Sequence, residues 1–227
     1  MSEPAPDRGP ARRSRTRKGL VVAAVLVLAG LVAYAGLVSR GSGDKSAPAP
    51  ATPTPTPLGS MDLSGLPITR GPLCAGIAGA DVRDALGGPV TGTAHYDSGQ
   101  RVTLAPGLRD VSHEYDCTYR GAGAEARVWV FAEPVGPTAA RGLAAAARTA
   151  RGCRVVTGGP TFGTPGVTTV CRAPRGTQRA VTLHGLFGDA WVSCQLTTRA
   201  ADVPAATAVR RTEQWCVDVA TSVGARP

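Results

Sequence analysis

From Leu20 to Val38 the chain reads LVVAAVLVLAGLVAYAGLV, without a charged or strongly polar side chain. As a helix rising about 1.5 Å per residue, this run matches the ~30 Å hydrocarbon core of a bilayer. A buried helix in a globular domain would carry a polar edge, and none is present, so residues 20–38 are expected to form a single transmembrane helix. Residues 39–60, SRGSGDKSAPAPATPTPTPLGS, have no apolar period. Their five prolines, four serines and three threonines favour an extended, polyproline II-like stalk.

Residues 61–227 change character again. A short helix is expected at DVRDALGG, from Asp81 to Gly88. Residues 111–120 and 125–133 form a strand pair turning at Gly121-Ala122-Gly123, and residues 138–150 form an Ala-rich helix after Pro137. CRVV and VTTVC are two β-branched runs joined by a Gly/Pro-rich stretch. RAVTLHGLFGDAWVSCQLT is a hairpin turning at Gly188-Asp189. Its alternation puts Val192, Cys194 and Leu196 on one face and Trp191, Ser193 and Gln195 on the other. A last helix is expected from an Asp202 N-cap, with Pro204 in its first turn, to Val223 and a Gly224 cap. Val209, Cys216, Val219, Ala220 and Val223 share its apolar stripe. The order predicts an α+β domain: about six mostly antiparallel strands, with helices on one face, preceded by the single transmembrane helix.

Charge supplies the orientation. Arg12, Arg13, Arg15, Arg17 and Lys18 precede the span, whereas only Arg40 and Lys45 follow it closely. The positive-inside bias then keeps residues 1–19 in the cytoplasm as a basic tail and leaves residues 61–227 outside. The expected location is the plasma membrane, with the lipid bilayer as partner through residues 20–38. The alternative is a signal peptide, because Ala33-Tyr34-Ala35 has the small-x-small form of a cleavage site. A mature chain beginning at Gly36 would distinguish the two. No cysteine follows the apolar run at a lipid-attachment position.

The formal net charge is +9. Residues 61–227 hold seventeen Arg and no Lys against thirteen acids. With abundant Ala, Gly, Pro and Val, this all-Arg composition reads as the codon bias of a high-GC, actinobacterial type of genome. The RRSRTRK run abuts the span and is explained by it, so no nucleic-acid partner is expected.

All six cysteines lie after the span: Cys74, Cys117, Cys153, Cys171, Cys194 and Cys216. An even number of cysteines outside the cell reads as three disulfides. A metal site is not expected, since no C-x-x-C occurs and His95, His113 and His184 have no ligand spacing. Antiparallel pairing of CRVV with VTTVC brings Cys153 to Cys171. Cys216 lies on the packing face of its helix, which makes Cys194 its candidate partner and leaves Cys74 for Cys117.

The order of Leu73-Cys74, Leu86-Gly87, Cys117-Thr118-Tyr119 and Cys216 resembles small extracytoplasmic α/β proteins of actinobacteria. These include surface lipoproteins with a PsbP-like fold and, more distantly, the cysteine-bridged sensor domains of mycobacterial serine/threonine kinases. The resemblance covers residues 72–223. It implies an envelope binding or sensing module and carries over no catalytic residues. The chain departs from it in having a membrane span in place of a lipid anchor, and in a cytoplasmic tail too short for a kinase.

Catalytic signatures are sparse. No G-x-S-x-G elbow occurs. Gly158 to Gly163 is glycine-rich, but no Gly-Lys-Ser/Thr follows, so it reads as a loop. Asp81 and Asp84 complement a helix N-terminus more simply than they form an acid/base pair. His184 reads as a satisfied histidine, with a cleft-lining role as the alternative. Trp191, Ser193 and Gln195 are the candidate ligand surface, an exposed aromatic platform, unless the Ala-rich helix covers Trp191. The expectation is a binding protein with an unknown envelope ligand and no cofactor. A hydrolase of envelope material and a scaffold acting through the span are the alternatives.

Overall fold

Two alternating runs on either side of Gly188-Asp189 become the centre of the sheet. A computed structural model describes residues 56–105, 108–172 and 176–224. The proposed tail, the span at 20–38 and most of the stalk lie outside these residues. Among the described residues no helix is long and apolar enough to cross a membrane. In the hairpin of β8 (Gln178–Phe187) and β9 (Ala190–Arg199), Gly188 takes φ +62°, which lets the two strands turn directly into each other.

Seven strands make one antiparallel sheet in the order β1-β4-β5-β9-β8-β7-β6. They are β1 (Gly92–Tyr96), β4 (Glu114–Arg120), β5 (Ala124–Phe131), β6 (Cys153–Val156), β7 (Gly166–Arg172) and the central hairpin. A separate two-stranded ribbon, β2 (Arg101–Ala105) with β3 (Leu108–Val111), lies between β1 and β4 in sequence. The α+β class is as expected, but three strands were unforeseen. Of these, β1 is largely exposed and pairs along a single edge, so no apolar alternation marks it.

Three helices accompany the sheet: α1 (Gly79–Leu86), α2 (Pro137–Thr149) and α3 (Ala205–Gly224). They do not share one face. Val82 and Leu86 of α1 and Trp215, Val219 and Ala220 of α3 join Cys117, Val128, Leu183, Val192 and Leu196 in the main core. Ala140 and Ala144 of α2 pack instead with Val167, Leu186 and Trp191, which the strand register places on the opposite side. Helix α3 begins at Ala205, later than the expected cap. Asp202 instead pairs with Arg199 at 3.6 Å, and the Ala208 N–H donates to the Pro204 carbonyl. The fold also reaches back into the stretch read as stalk, because Leu58 opens a short 3-10 turn and packs against the main core.

The three disulfides match the pairing read from the cysteines. Cys74–Cys117 joins the 3-10 turn Cys74–Gly76 to β4, Cys153–Cys171 links directly opposed residues of β6 and β7, and Cys194–Cys216 ties β9 to α3. Both sulfurs of the last bridge are in the core, where each cysteine is 0% exposed.

Glu213 is the one acid in this core, 7% exposed on α3, with its carboxylate so close to Gly159 that a side chain there would have to displace it. It makes no hydrogen bond among the described residues, and burial raises its pKa despite the opposing charge of Arg210. The neutral acid is the form the fold prefers, so this group adds stability as pH falls. Glu213→Gln should therefore raise the melting temperature at pH 7, and the gain should shrink as the pH is lowered. Thermal melts of both proteins across that range would refute this if the variant melted lower than wild type at pH 7.

Candidate functional site

Because side chains alternate across a strand, the face away from α1 and α3 is fixed by register. One row runs Tyr96, Asp116, Trp129, Ser193, His184 and Val167 across six adjacent strands. The next runs Ala94, Thr118, Arg127, Gln195, Thr182 and Thr169. Two adjacent rows of a central sheet are thus mostly polar. Helix α2 covers the β6-β7-β8 side of this face, and the β2-β3 ribbon borders it near β1, where a cavity of about 370 Å³ opens between ribbon and sheet.

That cavity is organised by Arg127. Its guanidinium is ion-paired with Asp116, donates to the Tyr96 hydroxyl at 2.8 Å and lies 3.4 Å from Glu114. Asp116 is 2% exposed and also accepts from the Thr118 hydroxyl at 2.9 Å. Tyr96 donates to Glu114, and burial followed by that carboxylate pushes its phenol pKa up, so it stays protonated. The buried carboxylate is therefore compensated on two sides, as a buried charge requires. The same guanidinium sits 4.6 Å over the Trp129 ring.

Past Trp129 the row becomes aromatic. His184 lies edge-on to Trp129 at 6.3 Å and stacks with Trp191 at 6.2 Å. Its Nδ1 is 2.7 Å from Ser193 Oγ. Burial lowers the imidazole pKa to about 4, so the ring is neutral at pH 7.

These positions correct the candidate ligand surface. Trp191 is only 3% exposed, because the small side chains of Ala140 and Ala144 let α2 lie against it. Ser193 is 1% exposed, with its hydroxyl turned to His184. Gln195 is half-buried and donates to the Thr182 hydroxyl at 2.9 Å. None of the three forms an open platform. His184 is a satisfied histidine. A Ser-His pair normally raises the question of a nucleophile and its base, but here the serine has no open approach for a substrate and no carboxylate orients the ring among the described residues.

Besides His184 and Gln195, the partly exposed residues of these two rows are Tyr96, Arg127 and Trp129, none of which was singled out from the sequence. The signal was present as alternation, in Glu114-x-Asp116-x-Thr118 and Glu125-x-Arg127-x-Trp129. It marks a polar face but not the ribbon bordering it.

Fold and site together define a disulfide-bonded α+β domain whose sheet has one core face and one polar, half-covered face. No protein-family model matches the chain, and no curated protein matches it.

Proposed function

We propose that this chain is a membrane-anchored extracytoplasmic binding or sensing module of a bacterial cell envelope, held outside by residues 20–38 and spaced from the lipid by its Pro/Thr-rich stalk. The observation that carries this reading is the set of three disulfides uniting all six cysteines, one of them inside the core. Such a set persists in oxidising surroundings. The apolar run with its basic N-terminal flank supplies the matching topology. The resemblance to small actinobacterial surface proteins and kinase sensor domains points the same way.

The ligand surface we assign is the polar sheet face around Arg127 and Trp129. An ion-paired guanidinium stacked on a half-buried indole gives a rigid rim of mixed character, suited to recognition. The buried setting of Ser193 and His184 favours binding over hydrolysis.

The topology is tested on intact cells. Protease added outside should cut the chain within residues 39–60 and release the domain, and its thiols should alkylate only after reduction. A domain resistant to that protease and alkylated without reductant would overturn the reading. For the binding surface, Trp129→Ala should reduce retention of the oxidised protein on envelope fragments. Unchanged retention would move the surface elsewhere.

A further inference from the structure

A further cavity lies at the other end of the sheet from Arg127, where Val167 ends the first of the two rows. It has about 410 Å³ and is formed by the loop after β6, the start of β7 and Arg148 on the last turn of α2. Arg148 is its only charged lining residue, and its guanidinium donates to the Gly166 carbonyl at 3.2 Å.

The lining is rich in unused donors. Phe162 is 3% exposed and Gly163 is buried, yet the N–H of neither makes a hydrogen bond among the described residues. Buried main-chain N–H groups are almost always paired, so two successive ones beside an open volume need an acceptor. Thr157, Thr161 and Thr164 line the same space and are exposed, so their hydroxyls are open to a guest. The surroundings favour a negative guest. From residue 134 to 188 the chain has seven arginines and not one Asp or Glu. Two carboxyl residues come near this loop, Glu213 against Gly159 and Asp62 bridged to Thr161, and neither lines the cavity.

We infer that this cavity is a binding site for a phosphate ester. A tetrahedral oxyanion offers several acceptor oxygens to the N–H and hydroxyl donors of one cavity, and one guanidinium matches its charge. The volume leaves room for a small organic substituent. The ester can be a free metabolite or the headgroup of an anionic lipid. The site stands apart from the sheet face assigned above and does not depend on it.

The test uses the full chain, labelled with 15N on glycine and phenylalanine and held in phosphatidylcholine bicelles. Titration with sn-glycerol 3-phosphate should shift the Phe162 and Gly163 amides saturably. Arg148→Gln should weaken the fitted affinity about tenfold, whereas Arg148→Lys, which keeps the charge, should lose less. Doping the bicelles with phosphatidylglycerol distinguishes the sources: the same shifts without free ester identify the lipid headgroup, and shifts with the free ester alone identify a soluble ligand. Amides that do not move under either condition, or an Arg148→Gln protein that titrates like wild type, would overturn the site.

Discussion

Replacing Cys194 and Cys216 together by alanine should lower stability by about 3 kcal/mol, the loop-closure term for a sequence separation of 22. For a domain of this size that is a fall in melting temperature of roughly 6–12 °C. The bridge connects the central strand to the helix that closes the core, so its loss also frees α3 to move against β9. Calorimetry or circular dichroism of the oxidised double variant checks this, and a fall of less than about 1 kcal/mol would contradict the chain-entropy account. The bridge between Cys153 and Cys171 is only partly buried and sits on the last strand pair.

Acid should destabilise the protein through His184. Its folded pKa of about 4 lies below its ordinary 6.5, because burial disfavours the imidazolium. The unfolded chain therefore binds the proton more readily between those two values. The stability contributed by the neutral ring is complete above about pH 6.5 and is lost progressively as pH falls towards 4, up to about 3 kcal/mol. Glu213 acts in the opposite sense, so the bare wild-type pH profile mixes the two groups. The informative quantity is the difference between wild type and His184→Gln, measured by urea unfolding at pH 7, 5 and 4. That difference should change by a few kcal/mol across the range, and a constant difference would show that His184 does not carry the dependence.

The elements that were legible from residues alone share one property: each carries an apolar face with a regular local period. The β8-β9 hairpin alternates at Val181-Thr182-Leu183-His184 and from Val192 to Thr197, and α3 carries its stripe through Cys216, Val219 and Ala220. The cysteine pairings followed from those faces. What was not legible depends on partners distant in sequence. The stripe of α2 is visible, but nothing local says which side of the sheet receives it. That was decided by Val167, Leu186 and Trp191, which supply an apolar patch on the otherwise polar face. Reading Trp191 together with Ser193 and Gln195 was correct as to face. It failed as to exposure, because β9 runs from beneath α2 out towards the polar rows. Arg127 and Asp116 escaped notice because their importance lies in meeting across β4 and β5, with Tyr96 arriving from a strand that has no hydrophobic signature.

The strand order sets the timetable of assembly. Strand β5 joins β9, so Ala124 lies opposite Thr198, and the intervening chain must travel to the far edge and return before that seam can close. An emerging polypeptide halted before Ala190 holds two incomplete half-sheets with nothing between them. Such long-range closure makes folding slow and late.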